Sequence, residues 1–169
     1  MTEIGRRSLG GYAVGVVVAV VLATWPASGQ TGGEEKAAIA VADSALAAIT
    51  RGDMTGLTDL MLPEAVMFPT GKRSDGVTGY RIRTRAEQRA APVTRKVTER
   101  GFRPEARVNG PVAMVWYPYD LYLDGQWSHC GVDVFTLIRD DGQWRISTMS
   151  WSVEQPPACE KHPDGPPKQ

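Results

Sequence analysis

The chain has little of most things that would announce a chemistry. Cysteine and histidine number two each, so a four-ligand metal site would need Cys159 and His162, which have ligand-like spacing, joined by His129 and Cys130. Neighbours on a strand point to opposite faces, so His129 and Cys130 cannot easily meet at one ion, and no metal centre is expected. For the same reason the consecutive Ser128, His129 and Cys130 cannot form a nucleophile and its base. Neither sign of charge is in excess: 19 Lys+Arg stand against 19 Asp+Glu, and nothing in that balance points to nucleic acid or to an acidic substrate. Basic residues crowd between Lys72 and Arg107, but they are spread over a hairpin, a helix and a strand, as on solvated faces. Glycine-rich nucleotide fingerprints, P-loops and zinc-protease motifs are absent, so no cofactor is expected. There is no internal repeat.

Long apolar runs are also scarce. The one uninterrupted run, Tyr12 to Ala23, falls short of the ~20 residues that a spanning helix needs. Arg6 and Arg7 precede it, Trp25-Pro26 breaks it, and Ala27-Ser28-Gly29 supplies the small residues a signal peptidase reads. That order is the pattern of a secretory signal over residues 1–29, and it predicts an exported protein, periplasmic or extracellular, with no membrane association after cleavage. Arg6-Arg7-Ser8-Leu9 brushes the twin-arginine signal, which leaves the route of export open. Cleavage there leaves about 140 residues, enough for one domain with one core. Residues 30–33 read as a polar lead-in, 34–153 as the domain, and 154–169 as a proline-rich tail expected to pack little. In an exported chain the two cysteines are available to each other. A Cys130–Cys159 disulfide would pin the tail to the sheet; otherwise they are free thiols.

What is present is a strong β signal near the end. Val112 to Val153 reads as three strands joined by Asp124-Gly125, a two-residue hairpin turn, and by a slightly longer reversal at Asp140-Asp141-Gly142. Earlier, Ile39, Ala42, Leu46 and Ile49 form a helical stripe that Gly52 stops. Asp53 can cap a second helix ended by Pro63, with Leu57, Leu60 and Met61 on its buried edge. Ala65–Pro69 and Val77–Arg83 read as a hairpin, and Thr84-Arg85-Ala86-Glu87 as a capping box opening a third helix that stops before Pro92. A strand from Lys96 to Asn109, interrupted near Gly101 to Pro104, leads into the meander. Trp144, in phase with Ile146, is expected in the core where the last strand meets the helices.

In that order, the segments ITRGDMTGLTDLMLPEAV, RIRTRAEQ and SHCGVDVFTLIRDDGQWRIS resemble the nuclear-transport-factor-2-like (NTF2-like) superfamily, which includes SnoaL-type polyketide cyclases, ketosteroid isomerases and scytalone dehydratase. The resemblance spans roughly Glu34 to Val153. It implies a single-domain α+β cone, a strongly curved antiparallel sheet wrapped around N-terminal helices, with a pocket at the wide end. It implies no particular reaction, because the superfamily hosts enzymes, binders and assembly modules alike.

If Asp124-Gly125 is a tight turn, Asp120 faces His129 and Trp116 faces Asp133, and these four share one strand face with Phe135. A carboxylate beside His129 would raise its pKa, and apolar walls would raise those of the carboxyls, so His129, Asp120 and Asp133 are the candidate acid–base residues. The other face carries Tyr117, Tyr119 and Cys130. Should that face line the cone, or should a bulge at Gly131 change the pairing, the pocket would be greasy and His129 would change sides. Trp116, Tyr117, Tyr119, Cys130 and Phe135 are therefore the candidate ligand contacts. Three functions follow: a binder of a small, largely apolar molecule; a cofactor-free isomerase, dehydratase or cyclase-type enzyme; or a non-catalytic homodimer formed through the sheet.

Overall fold

The computed structural model describes residues 29–168. The expected signal segment lies outside those residues except for Gly29, which opens helix α1 (Gly29–Arg51). This helix buries Ala38, Ala42, Ala45, Leu46 and Ala48, and such small side chains let its axis lie close to the sheet. Gly52 adopts a positive φ of 68° and ends it. Asp53 then caps α2 (Met54–Asp59), its carboxylate accepting from the Gly56 amide at 2.7 Å. Pro63 does not end this helix. It lies in β1 (Met61–Lys72), within the irregular stretch between Met61 and Val66, where a missing N–H breaks no ladder bond.

β2 (Thr78–Tyr80) and the short β3 (Arg83–Thr84) both pair with β1. Thr84 and Glu87 form the anticipated capping box of α3 (Arg85–Arg89), each satisfying the other's backbone amide. β4 (Val97–Gly101) and β5 (Glu105–Asn109) are separated by Phe102 to Pro104, and both pair with β6 (Val112–Leu123). β7 (Gln126–Asp140) and β8 (Gln143–Trp151) complete the meander. The sheet order is β2-β1-β8-β7-β6-β4, antiparallel except for β1 against β8. The result is a curled half-barrel around N-terminal helices, a single α+β domain. Asp124 and Gly125 take φ of 52° and 80°, Asp141 and Gly142 take 45° and 77°. Because Asp140 pairs with Gln143, the second reversal is also a two-residue turn rather than a longer one.

The tail does more than its composition suggests. Cys130 and Cys159 form a disulfide with a Cα–Cα distance of 5.7 Å, and Glu154 exchanges backbone hydrogen bonds with Cys130. Lys161 sits over the Trp127 ring at 4.4 Å, and His162 packs edge-on against Phe102. Covalent closure and long-range stacking leave no periodic trace in a proline-rich segment, which is why the tail read as loose. Breaking the bond by Cys159→Ser should lower stability by about 3–4 kcal/mol, the chain-entropy value for a loop of this length. Chemical denaturation of the variant beside the oxidised protein measures it; equal midpoints would show that the crosslink contributes nothing. Among the described residues, no helix is long and apolar enough to cross a membrane.

Candidate functional site

One extra residue decides what faces the inside of the cone. Near the turn, Tyr122 pairs with Trp127, in the register anticipated from Asp124-Gly125; beyond it Leu121 pairs with His129, so Ser128 is a bulge. The bulge is at Ser128, not at Gly131. Trp127 stays on the outer face beside Tyr122, while His129 and Asp133 move inward to join Tyr119 and Leu121. Asp120 consequently faces Cys130, and Trp116 faces Val134. The expected Asp120–His129 and Trp116–Asp133 pairs do not form.

The cavity enclosed by this inner face measures about 370 Å³. Met67, Leu121, Met149 and Trp151 supply apolar wall from the sheet, and Ile49, Met54 and Leu57 supply it from the helices. Its polar groups include Glu99 on β4, Tyr119 on β6, and His129 and Asp133 on β7, with Gln88 and Thr94 nearer the helices. Glu99 is held in place through its backbone: the Thr50 hydroxyl of α1 donates to the Glu99 carbonyl and accepts from its amide, at 3.1 and 3.0 Å. Tyr119 is fully buried, and its hydroxyl donates to the Ser152 carbonyl at 2.7 Å. That contact requires glycine at position 131, since a Cβ there would run into the Ser152 carbonyl. His129 Nδ1 lies 2.9 Å from the Ser128 hydroxyl, and its ring meets Tyr119 edge-on at 5.7 Å. Asp133 is buried, and its Oδ2 has no hydrogen-bond partner. Arg83 and Arg95 also line the cavity, their guanidinium groups engaged by Gln88 and Asp124.

Burial sets the electrostatics. It pushes the Asp133 carboxyl well above the usual carboxylate range, and the neighbouring charge of Glu99 pushes it further. Burial likewise raises Glu99 to about 7. His129 is moved the other way, because burial disfavours imidazolium and no carboxylate stands beside it to oppose that. The expected rise in the His129 pKa is thus reversed, for want of the Asp120 contact. Raised carboxyls make the folded state the stronger proton binder between the ordinary carboxylate pKa and the raised one. Stability therefore falls as pH rises through that window, up to about 7 for Glu99. His129 acts oppositely, contributing stability above about pH 6.5 that is lost on acidification. The two are separated by Asp133→Asn. Relative to this variant, the wild type should lose stability as pH rises from the ordinary carboxylate range, about 4, into neutrality in thermal melts, and parallel profiles for the two proteins would remove the carboxyl pair as the source.

Of the remaining candidates, Asp120 is fully buried on the opposite face. Its carboxylate receives Arg100 Nε at 2.9 Å, Arg100 Nη2 at 2.6 Å and the His162 amide at 3.1 Å. Trp116 is 45% exposed on the outer face, and Cys130 is consumed by the disulfide. Phe135 and Tyr117 are core residues, the Tyr117 hydroxyl donating to Asp43 at 2.6 Å. Among the five candidate ligand contacts, only Tyr119 reaches the cavity. Glu99 escaped sequence reasoning; the one signal for it is its place between Val97 and Gly101, two positions to either side on the same strand face. Among the described residues, no three His, Cys, Asp or Glu side chains gather closely enough to hold a metal ion.

A curled antiparallel sheet closed by N-terminal helices over a side-chain-lined cavity is the NTF2-like architecture. The SnoaL-like domain model matches residues 39–156, and the chain belongs to that family. No curated protein matches it significantly. Similar solved structures include an NTF2-like protein of unknown function from Pseudomonas putida, 12% identical with a TM-score of 0.60 over 81% of this chain and 99% of that one. A Mycobacterium tuberculosis protein of unknown function is 18% identical, with a TM-score of 0.58 over 75% and 80%. The beta subunit of a putative aromatic-ring-hydroxylating dioxygenase from Novosphingobium aromaticivorans is 11% identical, with a TM-score of 0.60 over 73% and 91%. At these identities the likeness speaks for the fold alone.

Proposed function

We propose that the domain binds a small, largely apolar molecule in the cone. The observation that carries this reading is the unpartnered Asp133 Oδ2 buried in the wall of a largely apolar cavity: a polar group without a partner there destabilises the fold, and a ligand that satisfies it recovers that free energy. Nile red, a neutral apolar dye, should bind the wild type with enhanced fluorescence. Leu121→Trp, which fills the cavity from the sheet side, should abolish that binding while the protein stays folded. His129→Ala should weaken ligand binding about tenfold with little change in melting temperature, since no buried acid depends on this ring. Stability loss with unchanged binding would make His129 structural.

A second reading, acid–base catalysis of the isomerase, dehydratase or cyclase kind, is favoured by the meeting of His129, Asp133 and Glu99 at one cavity. In it a neutral imidazole takes a proton from carbon and a protonated carboxyl supports the developing oxyanion. Asp120, held by Arg100, takes no part. The wild type should then accelerate deuterium exchange at the α-carbon of a bound cyclic ketone in D2O, and Asp133→Asn should not. No acceleration by the wild type would leave only the binding reading.

Export is supported by the disulfide, which belongs to an oxidising compartment. The mature chain should begin at or near Gln30; intact Met1 in exported material, found by mass spectrometry, would overturn this. The exposed outer-face Trp116 and Val112 favour a homodimer through the sheet, which sedimentation of the wild type beside Trp116→Lys would test.

A further inference from the structure

We infer that the cavity takes a hydrophobic primary or secondary amine, its ammonium group set against Asp133 with Glu99 facing the same space; this rests on the ligand-binding reading above. The argument is one of charge complementarity. Two acidic side chains face the cavity, and among the described residues neither has a cationic partner. The basic groups on β4 and at the cavity wall are bonded to other partners. Arg100 is on the neighbouring position of β4, but its guanidinium points to the outer face and grips Asp120. Arg83 and Arg95 reach the cavity wall, yet their guanidinium groups are bonded to Gln88 and Asp124. The Tyr119 hydroxyl is engaged as well, bonded to the Ser152 carbonyl. With no ion pair of its own, Asp133 is open to a positive charge carried by the ligand.

The walls suit such a guest. Tyr119 and Trp151 offer aromatic faces and His129 a neutral ring, while the methionines and leucines around them match a hydrocarbon body. A neutral carbonyl or hydroxyl ligand would satisfy Asp133 only while the acid keeps its proton. An ammonium ion satisfies it ionised, and places an opposite charge where burial otherwise disfavours the carboxylate. Binding then displaces a proton. The groups facing Asp133 are Glu99 from β4, Tyr119 from β6, His129 from β7 and the two wall arginines; of these Glu99 and Asp133 release protons as the amine enters. Affinity for the amine should accordingly rise with pH while the amine stays charged.

The test compares 2-phenylethylamine with its neutral isostere 2-phenylethanol by calorimetry. The wild type should bind the amine at least about tenfold more tightly than the alcohol near pH 8, with the gap narrowing toward about pH 6 and with proton release visible as a dependence on buffer ionisation heat. Asp133→Asn should bring the amine down to the affinity of the alcohol and leave the alcohol unchanged. Equal or tighter binding of the alcohol near about pH 8 would overturn the amine inference and leave the small-molecule reading standing, as would an amine preference that survives Asp133→Asn. Should neither probe nor Nile red bind, both fall. If the variant does not fold, the wild-type comparison decides alone.

Discussion

Trp144→Ala should lower the unfolding free energy by about 3–5 kcal/mol, the range for emptying a large aromatic site that cannot collapse. Trp144 follows the Asp141-Gly142 turn and is 7% exposed, packed into the cluster that joins β8 to α1. Its indole Nε1 donates to the Glu34 carboxylate at 3.0 Å, Arg139 meets the same carboxylate at 2.7 Å, and the Arg139 guanidinium lies over the indole ring. The substitution thus removes core volume and also a contact that orients the first turns of the helix. Urea denaturation measures the effect. A variant with unchanged midpoint would mean that the helix and the last strand are held by something other than this ring.

Arg100→Ala should cost a comparable amount, about 3–5 kcal/mol, by the opposite route. Nothing large leaves the core, but Asp120, fully buried, loses both arms of a bidentate ion pair and keeps only the His162 amide. Exchanging the pair for two well-packed apolar residues should be far milder, because the penalty comes from a stranded charge and not from the absence of a salt bridge. Ligand affinity of any folded Arg100 variant should match the wild type, since this pair lies on the opposite face of the sheet from the cavity. A selective loss of binding without loss of stability would place Asp120 in the functional site after all.

The fold was legible because its signals are local: turn dipeptides with positive φ, a capping box at Thr84 and Glu87, a helical stripe closed by Gly52. The inner and outer faces were only partly legible. Alternation assigns a face only relative to a register, and register counted from Asp124-Gly125 holds for two residue pairs before Ser128 breaks it. Every residue beyond inherits the shift, which is why Asp120 and His129 part while His129, Asp133 and Tyr119 meet. The bulge at Ser128 has no glycine to mark it, and Gly131, which looked like the marker, is a glycine for another reason: the Ser152 carbonyl occupies the place of its side chain. Glu99 was missed because its strand is short and interrupted, leaving too few alternations to set a phase.

The bulge has a bearing on how such a cavity can change over evolutionary time. A substitution alters one point on the wall. Loss of the single residue Ser128, or gain of another like it nearby, would exchange inward for outward along the neighbouring part of β7 or its hairpin, trading a row of ionisable groups for aliphatic or aromatic ones while the architecture stays the same. Chains that superimpose closely over this domain can therefore present cavities of unrelated chemistry, with the length of the hairpin arm between Asp124 and Gly131 deciding which side chains turn inward.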